Sequence, residues 1–354
     1  MSVFDSKLLK DIKPYNVSDS AKLDYKEKLN YLKLDWNETT IKTSDKVIKS
    51  VTDFILSGQL NYYPDVLAKD LKTSLRKYTD NKNVEVFNGS DSALKYIFDV
   101  FLDSGDKVLV TEPTYTQIVP FIKINGGVVK SYVPSNIFDI DMKEFEQHCN
   151  DKKIIYIVNP NNPTGYQYNY SDVEKLVKKF NNTLFVIDEA YHEFAGSTLV
   201  DLTKDYDNVV VTRTFSKAFG LAGIRLGYVV SDEKNIDSIN KIRNSKEVNT
   251  IAQLAGVTAL NDINYMLDYV EEVNEAKLYF SSELDKMNYD YEIGNANFML
   301  VKVKDPKSFV THLKNNKILI RDRSFLVGLK GYVRFTIGTI EDMKKVIGVI
   351  KSYE

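Results

Sequence analysis

An α/β layered domain with a mostly parallel sheet between helices, followed by a smaller α+β C-terminal domain, is the fold class that the sequence predicts, and three observations predict it. Short, continuous apolar runs recur through the middle of the chain, at 107–110, 128–133, 154–158, 184–187 and 209–212. Runs of that length suit strands buried on both faces of a sheet. Between them lie helix-period segments such as 171–180, where Val173, Leu176, Val177 and Phe180 fall at helical spacing, and this alternation builds layered α/β domains. After about residue 245 the texture changes. Residues 248–260 are uniformly helix-friendly and 261–286 continue as a long helical stretch dense in Glu and Lys. Then come strand-like 298–303, a helical 306–315, strand-like 318–320 and 332–337, and a final helix from Glu341. The expected division is 1–40 as an N-terminal arm or part of the small domain, 41–248 as the large domain and 249–354 as the small one.

Composition narrows the function. The chain has 354 residues, with 47 Lys+Arg against 49 Asp+Glu and a formal net charge of −2. Recognition of a phosphate backbone needs a concentrated basic surface, so no nucleic-acid partner is expected. Charged residues at 27% and hydrophobic residues at 43% belong to a globular chain, since disorder needs fewer apolar side chains and more net charge. Cys149, the single cysteine, excludes an intramolecular disulfide and a multi-cysteine metal site. It sits beside His148 in a polar, helical-looking segment, which predicts a surface position. His148, His192 and His312 form no His-x-x-x-His pair, and no metal is expected. The opening residues 1–7 carry charge where a signal peptide needs an apolar core. The run 154–158 is far short of the ~20 residues that span a bilayer. A soluble, cytoplasmic protein with no membrane partner is the expectation.

Four segments carry chemistry. Asn88-Gly89-Ser90-Asp91-Ser92 precedes a helix with Leu94, Ile97, Phe98 and Phe101 on its apolar face. Gly89 permits a close approach, Ser90 or Asp91 can cap, and the N–H groups of such a helix start favour an anion, particularly phosphate. Taken alone it is more often an ordinary cap. Asn159-Pro160-Asn161-Asn162-Pro163-Thr164-Gly165 follows the 154–158 run, and its prolines and glycine fix a rigid loop at a strand's carboxyl end, where open α/β sheets place ligands. Asp188-Glu189-Ala190-Tyr191-His192 follows the 184–187 run. As the acidic box of a helicase-like ATPase it would need a Gly-x-x-x-x-Gly-Lys-Ser/Thr loop, which is missing. It can also be a carboxylate aimed at a cationic ligand nitrogen, or a helix cap. Thr214-Phe215-Ser216-Lys217 places a lysine among hydroxyls and apolar residues, where desolvation frees an amine as nucleophile. Arg225, eight residues on, offers a planar fork for phosphate. No Gly-x-Ser-x-Gly elbow and no Gly-x-Gly-x-x-Gly fingerprint occurs.

In this order the segments resemble the fold-type I pyridoxal-phosphate aminotransferases, from Pro14-Tyr15 to Gly338-Thr339. The sharpest pieces are Asn162-Pro163-Thr164-Gly165, Asp188-Glu189-Ala190-Tyr191 and Ser216-Lys217 with Arg225. The resemblance implies pyridoxal 5′-phosphate as cofactor, bound by the large domain. Lys217 is then the amine that links to it and shuttles the proton between substrate Cα and cofactor C4′. Asp188 pairs with the pyridinium nitrogen, so the ring acts as an electron sink. Asn162 and Tyr191 bond the phenolic oxygen, and Tyr115 stacks on the ring. The Ser90 and Asp91 amides, Thr214, Ser216 and Arg225 hold the 5′-phosphate.

Within that superfamily the chain is most similar to histidinol-phosphate aminotransferases, in Leu34-Asp35-Trp36-Asn37-Glu38, Tyr62-Tyr63-Pro64-Asp65, Ala296-Asn297-Phe298, Ile320-Arg321-Asp322 and Val333-Arg334-Phe335-Thr336-Ile337-Gly338-Thr339. This implies a homodimer in which Tyr63 reaches the partner subunit's site, with Asn37, Arg321 and Arg334 binding substrate. The implied reaction moves an amino group between glutamate or 2-oxoglutarate and a small phosphorylated substrate. Histidinol phosphate, of histidine biosynthesis, comes first. Another small phosphorylated carbonyl compound, an aromatic amino acid, or decarboxylation of a phospho-amino acid are the alternatives. Three departures stand out: Ser92 where the family carries an acid, Thr39-Thr40 where it carries Asn-Pro, and Asn16-Val17 where it carries Pro-Gly. Thr39-Thr40 is expected near the substrate entrance.

Overall fold

The protein is described from a computed structural model covering residues 6–10, 12 and 19–353, so Pro14-Tyr15-Asn16-Val17 lies outside the described residues. In chain order its strands are β1 (Leu32–Lys33), β2 (Val84–Phe87), β3 (Lys107–Thr111), β4 (Val128–Tyr132), β5 (Ile154–Val158), β6 (Leu184–Asp188), β7 (Val209–Thr214), β8 (Gly227–Ser231), β9 (Tyr291–Ile293), β10 (Phe298–Lys302), β11 (Ile318–Leu319), β12 (Arg321–Asp322) and β13 (Tyr332–Thr336). The five apolar runs of the middle of the chain are β3 to β7. They join β2 and β8 in a seven-stranded sheet ordered β2-β8-β7-β6-β5-β3-β4. Only β8 runs against its neighbours.

Both faces of this sheet are covered. Ile155, Ile157, Phe185, Ile187, Val209 and Val211 face one apolar core, and Ile154, Tyr156, Val158, Val186 and Val210 face the other. That alternation is the two-residue period of a strand, and each fully buried aliphatic side chain contributes roughly 1.5–3 kcal/mol. The helix Ser90–Phe101 closes the second face with Ala93, Leu94, Ile97 and Phe98. The helix Tyr170–Lys179 closes the first with Val173, Leu176 and Val177. β2 escapes a sequence reading because Glu85 interrupts it. The structure buries that carboxylate against Lys72 at 2.7 Å and Arg243 at 3.3 Å.

The C-terminal part forms a four-stranded antiparallel sheet, β12-β13-β10-β9, flanked by the helices Ile263–Lys286, Pro306–Asn315 and Ile340–Lys351. Pro306 opens its helix behind the capping Asp305, where a missing N–H costs nothing. β1 pairs in parallel with β11, and the Thr336 N–H donates to Leu34 O at 2.9 Å. Residues 32–37 therefore run along the small sheet before they reach the large one.

Cys149 departs from its expected surface position. It is buried at the end of the helix Met142–His148, with Sγ 3.4 Å from Phe145 O. Phe145 and Cys149 stand one turn apart on the inner face of a helix whose polar residues point outward. Burial pushes the thiol up to about 12, which leaves it inert. No helix among the described residues is long and apolar enough to cross a membrane, and no group of His, Cys, Asp and Glu among them could hold a metal.

Candidate active site

β2, β5, β6 and β7 point the same way, and each delivers one of the four motifs at its carboxyl end. A cavity of about 630 Å³ opens there. Ser90, Asp91, Tyr115, Asn162, Asp188, Tyr191, Thr214, Ser216, Lys217 and Arg225 line it, together with Asn37, Arg321 and Arg334 from the small-sheet side. Of the expected site residues only Tyr63 is elsewhere. It is 78% exposed, with Lys246 Nζ 4.5 Å above its ring.

One end of the cavity is an anion cradle. Gly89 is the N-cap of the helix Ser90–Phe101 at φ 83°, with no side-chain cap. Ser90 and Asp91, expected as possible caps, lie in the first turn instead, and the first N–H groups have no intrahelical partner. A Cβ on Gly89 would stand 2.5 Å from Arg225 Nη2, so only glycine lets the guanidinium approach. Arg225 Nη1 donates to Ser216 Oγ at 3.3 Å, and Thr214 Oγ1 donates to the same oxygen at 2.9 Å. Tyr115 OH donates to Asp91 Oδ1 at 2.7 Å, and Arg225 lies 3.7 Å from that carboxylate. Helix-start amides, two hydroxyls and a guanidinium form a donor set made for phosphate oxygens.

The two carboxylates at the end of β6, Asp188 and Glu189, diverge, as successive strand residues do. Glu189 is locked away from the cavity by buried Arg213, whose Nη2 is 2.8 Å from Oε2. Asp188 faces the cavity. It accepts from Tyr156 OH at 2.9 Å and from the Ala190 N–H at 3.2 Å. Burial, the largest cause, raises it to about 6, and no cation among the described residues counters that shift.

The Glu193 side chain is buried four residues beyond Glu189, with Oε2 3.3 Å from His192 Nδ1, and burial pushes the acid up to about 8. Unfolded, it titrates near its ordinary 4.5, so the folded chain holds one more proton between those values. Stability from this group is lost as pH rises through that window. Glu193→Gln is therefore expected to raise Tm at about pH 8.5 by ~2 °C or more relative to its effect at about pH 6, read by calorimetry.

At the opposite end, Lys217 Nζ donates to Trp36 O at 2.9 Å and lies 5.6 Å from the Tyr191 ring centre. The Tyr191 oxygen accepts from Asn37 Nδ2 at 2.9 Å and from Asn162 Nδ2 at 3.3 Å. With both lone pairs engaged, its own proton is left to donate. Arg334 Nη1 donates to Asn162 Oδ1 at 2.7 Å and Nη2 to Asp35 O at 2.7 Å, which orients the Asn162 amide. The other two asparagines of the loop are structural. Asn161 ties Thr114, Pro113 and Thr164 together, and Asn159 accepts the Tyr168 N–H. Asn37, at φ 57° and fully buried, is held by Thr336 and Asn297.

Thr39 and Thr40 do not line the cavity. They pack on glycines: a Cβ on Gly220 would meet Thr39 Oγ1 at 3.0 Å, and one on Gly338 would meet Thr40 Oγ1 at 2.6 Å. Ser92 donates to Glu247 Oε1 at 3.1 Å, so a carboxylate reaches that place from another segment. Trp36, Tyr156 and Arg323 belong to the site and were not expected there. The one available signal was Tyr156, a lone hydroxyl inside a strand buried on both faces, which has to find a partner.

Fold and site together define a pyridoxal-phosphate enzyme of fold type I. The model of the family "Aminotransferase class I and II" matches residues 30–350, and the chain belongs to that family. It is a transaminase whose cofactor is pyridoxal 5′-phosphate. A dihydroxyacetone phosphate transaminase of Campylobacter jejuni is 38% identical, covering 98% of this chain and 96% of that protein. A histidinol-phosphate aminotransferase of Thermoanaerobacter sp. is 33% identical over 90% of this chain and 92% of its own length. The crystal structure of histidinol-phosphate aminotransferase from Sinorhizobium meliloti in complex with pyridoxal-5′-phosphate has the same fold, with TM-score 0.88 over 100% of this chain and 99% of that one at 22% identity.

The residues fit the cofactor. Asp188 is a buried carboxylate with no cation beside it among the described residues, and a protonated ring nitrogen is such a cation. The Gly89 cradle, which a Cβ would fill, suits the phosphate.

Proposed function

We propose that this transaminase exchanges an amino group between glutamate or 2-oxoglutarate and a small phosphorylated carbonyl compound. One observation carries the reading: Arg321, Arg323 and Arg334 all line the small-sheet side of a cavity that already has a phosphate cradle in Thr214, Ser216 and Arg225. Two anion sites in one cavity suit a phosphorylated cofactor and an anionic substrate, and an arginine fork takes carboxylate and phosphate alike. Dihydroxyacetone phosphate is the first candidate, because the relative named for it shares 38% identity against 33% for one named for histidinol phosphate. Histidinol phosphate, first on the sequence reading, becomes the second.

When bound, the cofactor supplies a carbonyl carbon that links to amines and a protonated ring that takes up the electron pair of the substrate Cα–H bond. In this proposal Lys217 Nζ would be the amine that holds the cofactor, and it would take up the proton at the substrate Cα. Asp188 keeps the ring nitrogen protonated. Asn162 and Tyr191 donate to the phenolic oxygen, and Tyr115 covers the ring. The Ser90 and Asp91 N–H groups, Thr214, Ser216 and Arg225 hold the phosphate. Arg321 and Arg334 bind the substrate anion, and Asn37 orients Tyr191. The domain division 41–248 and 249–354 belongs to the same proposal, since the seven-stranded sheet precedes residue 249 and the four-stranded one follows it. So does a cytoplasmic setting. A homodimer is proposed as well: Leu56, Leu60, Tyr62 and Tyr63 form an exposed apolar stretch of the kind that a second subunit covers, with Tyr63 entering the partner subunit's site.

The test is an amino-transfer assay of the holoenzyme with glutamate and either dihydroxyacetone phosphate or imidazole acetol phosphate. Faster 2-oxoglutarate formation with the former is expected. CO₂ release from a phospho-amino acid without 2-oxoglutarate turnover would overturn transamination. Arg321→Met is expected to raise KM for the phosphorylated substrate about 10- to 100-fold, the worth of a charge-assisted hydrogen bond, with the cofactor affinity unchanged.

A further inference from the structure

Tyr156 is the one hydroxyl in β5, and its ring is 1% exposed. Register pairs Tyr156 with Val186 and Val158 with Asp188, so Tyr156 and Asp188 are diagonal neighbours on the same face of the sheet. A long side chain spans that diagonal. Phe98, from the helix Ser90–Phe101, stands against the ring at 6.4 Å between centroids, which leaves the phenol little freedom to turn. Its O–H donates to Asp188 Oδ2 at 2.9 Å, while the Ala190 N–H takes Oδ1 at 3.2 Å. One donor on each oxygen fixes the plane of the carboxylate. The backbone donor cannot be altered by substitution, whereas the phenol can.

We propose that Tyr156 is a positioning residue for the transamination: it holds one oxygen of Asp188 so that the carboxylate meets the cofactor's ring nitrogen in a fixed orientation and in its charged form. This rests on the reading of Asp188 as the ring-nitrogen partner.

A phenol suits the task. Burial and the neighbouring carboxylate push its own proton loss well above the ordinary value, so at any working pH it donates and never competes for charge. Its bond to Asp188 lowers the acid, against burial and against Asp91, which raise it; the Ala190 N–H and the Thr212 hydroxyl of β7 also lower it. Tyr115 and Asp91 face the phenol itself. The hydroxyl thus offsets part of what burial costs the carboxylate, until a ring cation arrives.

The experiment compares the full-length protein with Tyr156→Phe, Asp188→Asn and the double variant, each titrated with pyridoxal 5′-phosphate and followed by fluorescence quenching. Tyr156→Phe keeps the ring and its packing. Its cofactor Kd is expected to rise about 10- to 100-fold, the worth of a hydrogen bond to a charged group, and the acid limb of its kcat–pH profile is expected to move to higher pH. In the Asp188→Asn background the same change is expected to have no further effect on Kd, because the group through which it acts is gone. Tyr156→His keeps a ring and a donor and is expected to recover part of the affinity. An unchanged Kd and acid limb in Tyr156→Phe would overturn the proposal, and so would losses that simply add in the double variant. If Asp188→Asn alone leaves Kd unchanged, the underlying reading of Asp188 fails instead, and no substrate is needed to see it.

Discussion

Lys217→Ala is expected to lower transamination by at least about 10⁴-fold, because one amine serves as both nucleophile and proton carrier and residues acting as a unit lose most of their effect together. The geometry around it predicts what survives. Among the described residues Lys217 Nζ donates to the Trp36 carbonyl, and the cradle of Gly89, Ser216 and Arg225 does not depend on it. The variant should therefore fold and still bind pyridoxal 5′-phosphate through its phosphate end. Borohydride treatment followed by peptide mass spectrometry separates the two functions. The parent protein should carry the reduced cofactor on the peptide containing residue 217, and the variant should carry none. A variant that keeps more than a hundredth of the parent rate would remove Lys217 from the chemistry.

Asp188→Asn is expected to lower kcat about 10²- to 10³-fold, the range for removing one preorganised electrostatic partner of a developing charge. It should also change two pH dependences. Without cofactor, burial holds the carboxyl at about 6, above its ordinary 3.8. The folded chain then binds the additional proton between those values, and stability falls as pH rises through them. Asp188→Asn removes that fall, so the cofactor-free variant should melt higher than the parent above about pH 6. Cofactor affinity should run the other way. In the parent it weakens as pH drops below about 6 and the carboxylate is neutralised, and in the variant it should be flat. A parent affinity that does not change across that range would contradict the pairing of Asp188 with a cationic ring.

What was legible in the sequence was whatever depended on a continuous local signal. β3, β5, β6 and β7 could be read because strands covered on both faces carry apolar runs; β4, at the sheet edge with Lys130 and Ser131, is mostly exposed and departs from that expectation. The motifs could be read because phosphate, imine and ring-nitrogen chemistry each need particular residues next to a strand end. What was illegible depended on partners far away in the chain. Glu85 hides β2 because its neutralising cations come from Lys72 and Arg243. Cys149 looked exposed because its neighbours are polar, yet one turn of helix turns it inward beside Phe145. The partners of Asn37 were equally hidden: its amide reaches Tyr191 and Thr336, the latter a contact across about 300 residues that no local pattern records.

The path of residues 32–37 has a mechanical consequence. This short strip pairs with β11 in a two-stranded sheet of its own and is tied to β13 of the lesser sheet through Thr336, yet its tip grips a hydroxyl carried just beyond β6 of the greater one. Arg334 makes a second grip of the same kind through Asn162. If the two halves swing apart, both amide donors on Tyr191 are disturbed at once, so the phenol would sense the separation before any reactant arrived.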